Sequence, residues 1–500
     1  MNDFINLNEY DIRSSRYYYL AFRVIIIIIL ALSSYNYWQS QEYLAPNNDK
    51  AYYLAVAEGL DESGRLEDRI VHPHEPVLST QNGTVFIYTL FSQFTNNNDY
   101  ITLLVSVTGL LILAISLIIA YKMALYLGLS EFMAHFLVFM MVFNASYLHF
   151  SFMGMTESFF YPFSLIWTFY HIKFLDTTQS PKRITWVIFI VLSYLLIQFR
   201  TQGLLLFAAS FLFFLLKGNW RRVFQVSITY IVTLVSMLGL FYYLSGSFLG
   251  LGETGHLSNI THDRSNFIIK IIGFVQMYIT NLTASFDTIR GSYLMLVSLP
   301  GFALVFLGGI RRIFDKNIDN YTLLYLIFAI SVIALWLFKP GMALRYVYYT
   351  YPIFMLLFLR YLVSINSKIT RYFLYGLILL TIVNLGYIFY NKQIVKEYQG
   401  KQMIADRVHQ HKILKKLHKT YQPATIYMSE EHGYHRRLVY TPTSQPVETR
   451  QDTSQIVSNS FVIGDEQYLS KFMSSSHIDS SRMIGQFIYD GVQHKVYLIK

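Results

Sequence analysis

Apolar runs close to the length of a bilayer crossing, about 20 residues, recur along most of this 500-residue chain. The first contains Val24 to Leu30, almost pure isoleucine, and polar chain with no small-residue cleavage site follows it. That pattern reads as a retained span rather than a signal peptide. Charged residues make up only 14% of the sequence and hydrophobic residues 54%. A soluble chain carries about 25% charged residues, so this one lacks the polar side chains to cover a water-facing surface. The reading is an α-helical polytopic membrane protein of about eleven transmembrane helices. The spans fall near 17–37, 101–121, 131–149, 158–175, 184–199, 203–217, 223–244, 292–310, 320–338, 347–363 and 372–390.

The basic residues orient these spans. With the N-terminus inside, the inner connections carry Arg13 and Arg16, then Lys122, then Lys182 with Arg183. Arg221 with Arg222 follow, then Arg311, Arg312 and Lys316, then Lys368 with Arg371. Short cytoplasmic loops are enriched in Lys and Arg, and every predicted inner loop is basic. The net charge of +10 is therefore an orientation signal and not a nucleic-acid footprint. Cysteine is absent, which excludes a disulfide framework, a thiolate metal site and a cysteine nucleophile.

Three outer segments are long. Residues 38–100 are acidic and polar. Residues 245–291 hold the apolar stretch Phe267 to Ile279, too short to span and broken by Lys270, which reads as an interfacial or re-entrant helix. Residues 391–500 change to the composition of a soluble domain. There, 401–418 predicts an amphipathic helix, and Thr425–Met428, Arg437–Tyr440, Phe461–Ile463, Gln486–Tyr489 and Lys495–Ile499 predict short strands. The last two are joined by a turn at Asp490-Gly491. The division is a transmembrane domain, 1–390, with outer loop 38–100, and a small extracytoplasmic α/β domain, 391–500.

The residues that could carry chemistry collect on the outer side. Asp49, in Asn47-Asn48-Asp49-Lys50-Ala51-Tyr52-Tyr53 just after the first span, is either a general base on an acceptor hydroxyl or a solvated loop carboxylate. Glu157, in Gly154-Met155-Thr156-Glu157-Ser158, is a second carboxylate of the same boundary or a charge favoured by the helix dipole, with Thr156 able to cap that helix. Arg200, in Gln198-Phe199-Arg200-Thr201-Gln202-Gly203, and Arg345, in Lys339-Pro340-Gly341-Met342-Ala343-Leu344-Arg345-Tyr346, are basic where the topology leaves few cations. A guanidinium suits phosphate because its planar fork bonds two oxygens at once; the alternative is an arginine snorkelling to headgroups. His72-Pro73-His74 lacks the further ligands a metal site needs. Sequons stand at Asn82, Asn144, Asn259 and Asn281.

Together these pieces resemble the GT-C class of integral-membrane glycosyltransferases, which use polyprenyl-phosphate-linked sugars and include protein O-mannosyltransferases and the lipid A aminoarabinose transferase. The resemblance covers residues 17–363. It rests on Asp49 with Ala51-Tyr52-Tyr53 in a long first outer loop, Met155-Thr156-Glu157-Ser158, Arg200 with Gly203, and Arg345-Tyr346 with Pro352 opening a later span. It implies Asp49 as catalytic base, Glu157 at a recurring second acidic position, and Arg200 and Arg345 on the donor phosphate. Many members pair two acids in the first loop where this chain has Asn47-Asn48-Asp49, and Thr201 stands where proline is frequent. A divalent metal is therefore left open, with no ligand set pointing to one.

The resemblance implies a hexosyl- or pentosyltransferase of the cell envelope, active on the periplasmic or extracellular side of a bacterial inner (plasma) membrane. Its partners would be a polyprenyl-phosphate-sugar donor, a lipid, glycan or protein acceptor, and membrane lipids, with no nucleic acid. Two rivals stay open. An envelope polysaccharide polymerase or ligase typically relies on a large arginine-bearing loop late in the chain, whereas the best motif here lies in the first loop. A lipid or solute transporter needs ionisable residues near mid-membrane, and these spans are nearly free of them.

Overall fold

The computed structural model describes residues 12–39, 44, 48–67, 82–175, 183–246, 303, 305–316, 318–337, 348–364, 400–428, 447–448, 458–475, 481–489 and 492–499, with isolated positions between 368 and 390. Arg345, His72-Pro73-His74, the Phe267–Ile279 stretch, the strand expected at Arg437–Tyr440 and the Asp490-Gly491 turn lie outside the described residues.

The apolar runs form helices. They are α1 (Ile12–Gln39), α2 (Asn48–Ser63), α3 (Asn82–Ser92), α4 (Asn98–Tyr126), α5 (Glu131–Phe143), α6 (Ala145–Phe152) and α7 (Thr156–Tyr170). Then come α8 (Arg183–Phe199), α9 (Gly203–Leu216), α10 (Trp220–Ser245), α11 (Asn320–Leu337) and α12 (Tyr351–Ser364). Three of the described helices are long and apolar enough to cross a membrane, with spans over Tyr19–Gln39, Asn98–Tyr126 and Trp220–Ser245. Glu131–Phe143, Arg183–Phe199, Gly203–Leu216 and Asn320–Ser331 are shorter apolar helices. Large aliphatic side chains such as Ile27, Leu111 and Val235 stand exposed on the long helices, the kind of surface that lipid covers.

Two differences from the sequence reading have local causes. The run expected as one span over 131–149 is split at Asn144, whose backbone is extended and whose side chain accepts from Tyr147 N to start α6. The first outer loop, read as acidic and polar, contains α2 and α3. Its charged residues hide a buried stripe, since Ala51, Tyr53, Leu54, Ala55, Val56 and Ala57 are all at most 4% exposed.

The chain forms two compact units: Met1–Ser34, Thr108–Leu240 and Leu249–Lys396 in one, and Tyr35–Val107, Phe241–Phe248 and Glu397–Lys500 in the other. The second contains a five-stranded sheet with α13 (Gly400–Tyr421) and α14 (Glu466–Ser475). Its strands are β1 (Ile426–Met428), β2 (Val447–Glu448), β3 (Ser460–Gly464), β4 (Ser481–Tyr489) and β5 (Val492–Ile499), in the order β2-β1-β3-β5-β4. The first three strands run parallel, and β5 pairs antiparallel with both β3 and β4. Alternation of side chains across the pleat sends Ile426, Met428, Phe461 and Ile463 to one face, against Leu414 and Leu417 of α13. Tyr427 and Val462 go to the other, against Leu469 and Phe472 of α14. Gly485, at an irregularity in β4, lets α13 approach: a Cβ there would sit 2.8 Å from a Leu417 methyl.

Candidate active site

In the first unit, the site is built by two tight turns. Gly154 takes φ +75°, a left-handed conformation that favours glycine, and α7 starts two residues later. Ser158 closes that turn: its hydroxyl accepts from Gly154 N at 3.0 Å and Met155 N at 3.3 Å and donates to Phe150 O at 2.9 Å. Thr156 is not the cap: Met155 holds the N-cap position, and Ser158, the third helical residue, reaches back to its amide. Thr156 Oγ1 instead donates to Glu157 Oε2 at 3.0 Å. On the facing connection, α8 ends at Phe199 and Gly203 N returns to Arg200 O at 2.9 Å, closing a turn before α9. Gly203 fits because a Cβ there would press on Leu196 at 3.1 Å.

These turns bring Glu157 and Arg200 together. Arg200 Nη1 lies 2.6 Å from Glu157 Oε1, and the side chains are 3% and 1% exposed. Two residues singled out separately in the sequence are one buried ion pair. Aromatic rings wall it: Phe159 stacks on Phe199 with centroids 5.2 Å apart, and Phe160 meets Tyr349 edge-on at 5.0 Å. Tyr349 donates its hydroxyl to Ser331 Oγ. Tyr351 opens α12 with Pro352 in its first turn, where a missing N–H is tolerated. Sequence reasoning passed over Tyr349; the density of tyrosines in Tyr346-Val347-Tyr348-Tyr349-Thr350-Tyr351 was the available signal.

In the second unit, Asp49 lies in the first turn of α2, where the helix N-terminus favours an anion. It is half-buried, and the next residue, Lys50, is 1% exposed. Lys50 Nζ donates to Tyr37 Oη at 3.1 Å, and Tyr37 Oη is 3.2 Å from Ser106 Oγ on α4. The ammonium also lies 5.6 Å from the Tyr37 ring centroid. Tyr53 packs against Tyr88 of α3 at 6.1 Å. Lys50 therefore fastens the turn that carries Asp49, a role its position in a polar loop did not suggest. Among the described residues, no group of three or more His, Cys, Asp or Glu side chains gathers.

The fold combines many apolar helices with a small C-terminal sheet. Two solved structures share it along nearly their whole length. ArnT from Cupriavidus metallidurans bound to undecaprenyl phosphate aligns with a TM-score of 0.62 at 9% identity, covering 94% of this chain and 97% of that one. ArnT from the same organism in the apo state aligns at 0.60 and 9% identity, over 97% and 98%. No protein-family model matches the sequence, and no curated protein matches it. The chain thus shares the fold of ArnT, and three of its described helices are long and apolar enough to cross a membrane.

Proposed function

We propose that this protein is a membrane glycosyltransferase that moves a sugar from a polyprenyl phosphate to an acceptor hydroxyl on the outer face of a bacterial inner membrane. The observation that carries the reading is the buried Glu157–Arg200 pair inside a fold shared with a protein solved with undecaprenyl phosphate bound. A buried ion pair stabilises a protein no better than well-packed apolar residues do, so a membrane protein gains little from one unless the cation has work to do. Arg200 is a guanidinium held in a fixed pose by a carboxylate, ready for phosphate oxygens.

In this mechanism Asp49 accepts the proton of the acceptor hydroxyl as its oxygen attacks the anomeric carbon. The bond from that carbon to the phosphate oxygen breaks on the opposite face, and polyprenyl phosphate leaves with the electron pair. The product is inverted at the sugar carbon. Arg200 and Arg345 stabilise the charge that grows on the phosphate, which is often a large catalytic contribution. Glu157, neutralised by Arg200, acts as the second carboxylate of the site by orienting that guanidinium. Residues 391–500 form the soluble domain on the same outer side. The sugar is a hexose or pentose, and the acceptor a lipid, glycan or protein of the envelope.

Purified protein in lipid nanodiscs, given a panel of radiolabelled undecaprenyl-phosphate sugars and envelope extract, tests this. Wild type transfers label from one donor of the panel. Asp49→Asn keeps its fold and undecaprenyl phosphate binding but loses at least about a hundredfold in rate, the lower range for a general base. Full transfer by Asp49→Asn removes Asp49 from the chemistry.

A further inference from the structure

The helix that carries Asp49 is fastened along its length as well as at its start. Midway along α2, Ala55 is fully buried and belongs to the apolar core formed by α13 and the sheet. One turn on, Glu58 Oε1 accepts from Asn98 Nδ2, the first residue of α4, at 3.3 Å. The next residue, Asp99, accepts from His411 Nε2 at 2.7 Å and from Lys415 Nζ. His411 and Lys415 stand one turn apart on α13, so one face of that helix grips a single carboxylate. A helix N-terminus favours an acidic residue without help. It does not call for an imidazole and an ammonium donor from an element more than 300 positions away. At the other end of α2, Lys50 reaches α4 through Tyr37 and Ser106. The start of α4 is therefore a junction, joined to α2 by Asn98 and to the C-terminal domain by Asp99.

We infer that Asp99 is a positioning residue. Through the Asn98–Glu58 bond and the packing of Ala55, it makes the C-terminal domain hold α2, and so Asp49, in place. Such coupling runs through contiguous packed and hydrogen-bonded groups, and only perturbation reveals it. The catalytic consequence rests on Asp49 being the base; the mechanical one does not.

Hydrogen exchange by mass spectrometry on the full-length protein in nanodiscs reads the mechanical part. Asp99→Asn keeps the shape of the side chain and removes its charge. Amides of 48–63 then exchange about tenfold faster, while those of 203–216 are unchanged. Turnover of the active undecaprenyl-phosphate sugar falls about tenfold with binding of undecaprenyl phosphate unaltered. Unchanged exchange in 48–63 overturns the inference, and so, where Asp49→Asn is inactive, does faster exchange with unchanged turnover. If Asp99→Asn does not fold, Lys415 serves instead, because its side chain is 45% exposed and replacing it opens no cavity. Lys415→Met speeds exchange in 48–63 and Lys415→Arg restores it; wild-type exchange in Lys415→Met overturns the inference. An active Asp49→Asn variant would defeat the base assignment and leave the exchange result standing. An inactive Asp49→Asn beside wild-type exchange in Asp99→Asn would defeat this inference alone.

Discussion

Glu157 and Arg200 pose an energetic question at the scale of single residues. Taking both charges out of water costs several kcal/mol per ion, and their attraction recovers this only with good geometry. The 2.6 Å contact and the Thr156 hydroxyl on the second carboxylate oxygen supply that geometry. Removing one partner strands the other, so Glu157→Ala and Arg200→Ala should each destabilise the protein by about 3–5 kcal/mol. The double variant Glu157→Leu/Arg200→Met refills the space with apolar atoms and should recover most of that loss, yet fail to bind undecaprenyl phosphate. Thermal unfolding and lipid binding on the three proteins check this. Binding retained in the double variant would make the pair a packing device only. The sequence singled out Arg200 as a cation where few are expected and Glu157 as a carboxylate of the same boundary, but could not show that they meet. Pairing across two separate helix turns is decided by packing, which no local pattern records.

At the scale of elements, boundaries are where sequence and structure part. Long apolar periodicity identified α1, α4 and α10 well, because a run of that length has few other fates. The strands expected at Thr425–Met428, Phe461–Ile463, Gln486–Tyr489 and Lys495–Ile499 coincide with parts of the sheet, but the last two begin earlier, at Ser481 and Val492. The two-residue β2 and the helix α14 have no such counterpart, since each depends on the sheet beside it rather than on its own composition. The α7 start shows the same limit on a finer scale. Thr156 and Ser158 are both good caps by residue type, and the left-handed Gly154 decides between them by turning the Gly154 and Met155 amides onto Ser158. Ser158→Ala should therefore cost about 1 kcal/mol, the usual net worth of a hydrogen bond, and shift undecaprenyl phosphate binding with it because Glu157 is the adjacent residue. Thr156→Val should leave the helix start intact. Equal loss of amide protection at Gly154 and Met155 in the two variants would argue against Ser158 as the residue that closes the turn.

At the scale of the whole molecule, the orientation of the chain rests on a physical regularity that no single contact supplies. Basic side chains stay on the cytoplasmic side because moving them across the membrane during insertion is disfavoured. The inner loops named from the sequence carry the arginines and lysines, while 38–100 and the C-terminal sheet carry the mixed, polar chemistry of water-facing chain. The absence of cysteine makes this directly measurable, since a single introduced thiol reports alone. Glu62, beyond the buried stripe of α2, Ser470 on α14 and Asp315 in the basic connection before α11 are all exposed. A membrane-impermeant maleimide applied to intact spheroplasts should label Glu62→Cys and Ser470→Cys at once, and Asp315→Cys only after permeabilisation. Labelling of Glu62→Cys without Ser470→Cys would put the C-terminal domain across the membrane from Asp49, which the Asp99–His411 bond forbids. Labelling of Asp315→Cys in intact spheroplasts would reverse that connection and with it the reading of the basic loops.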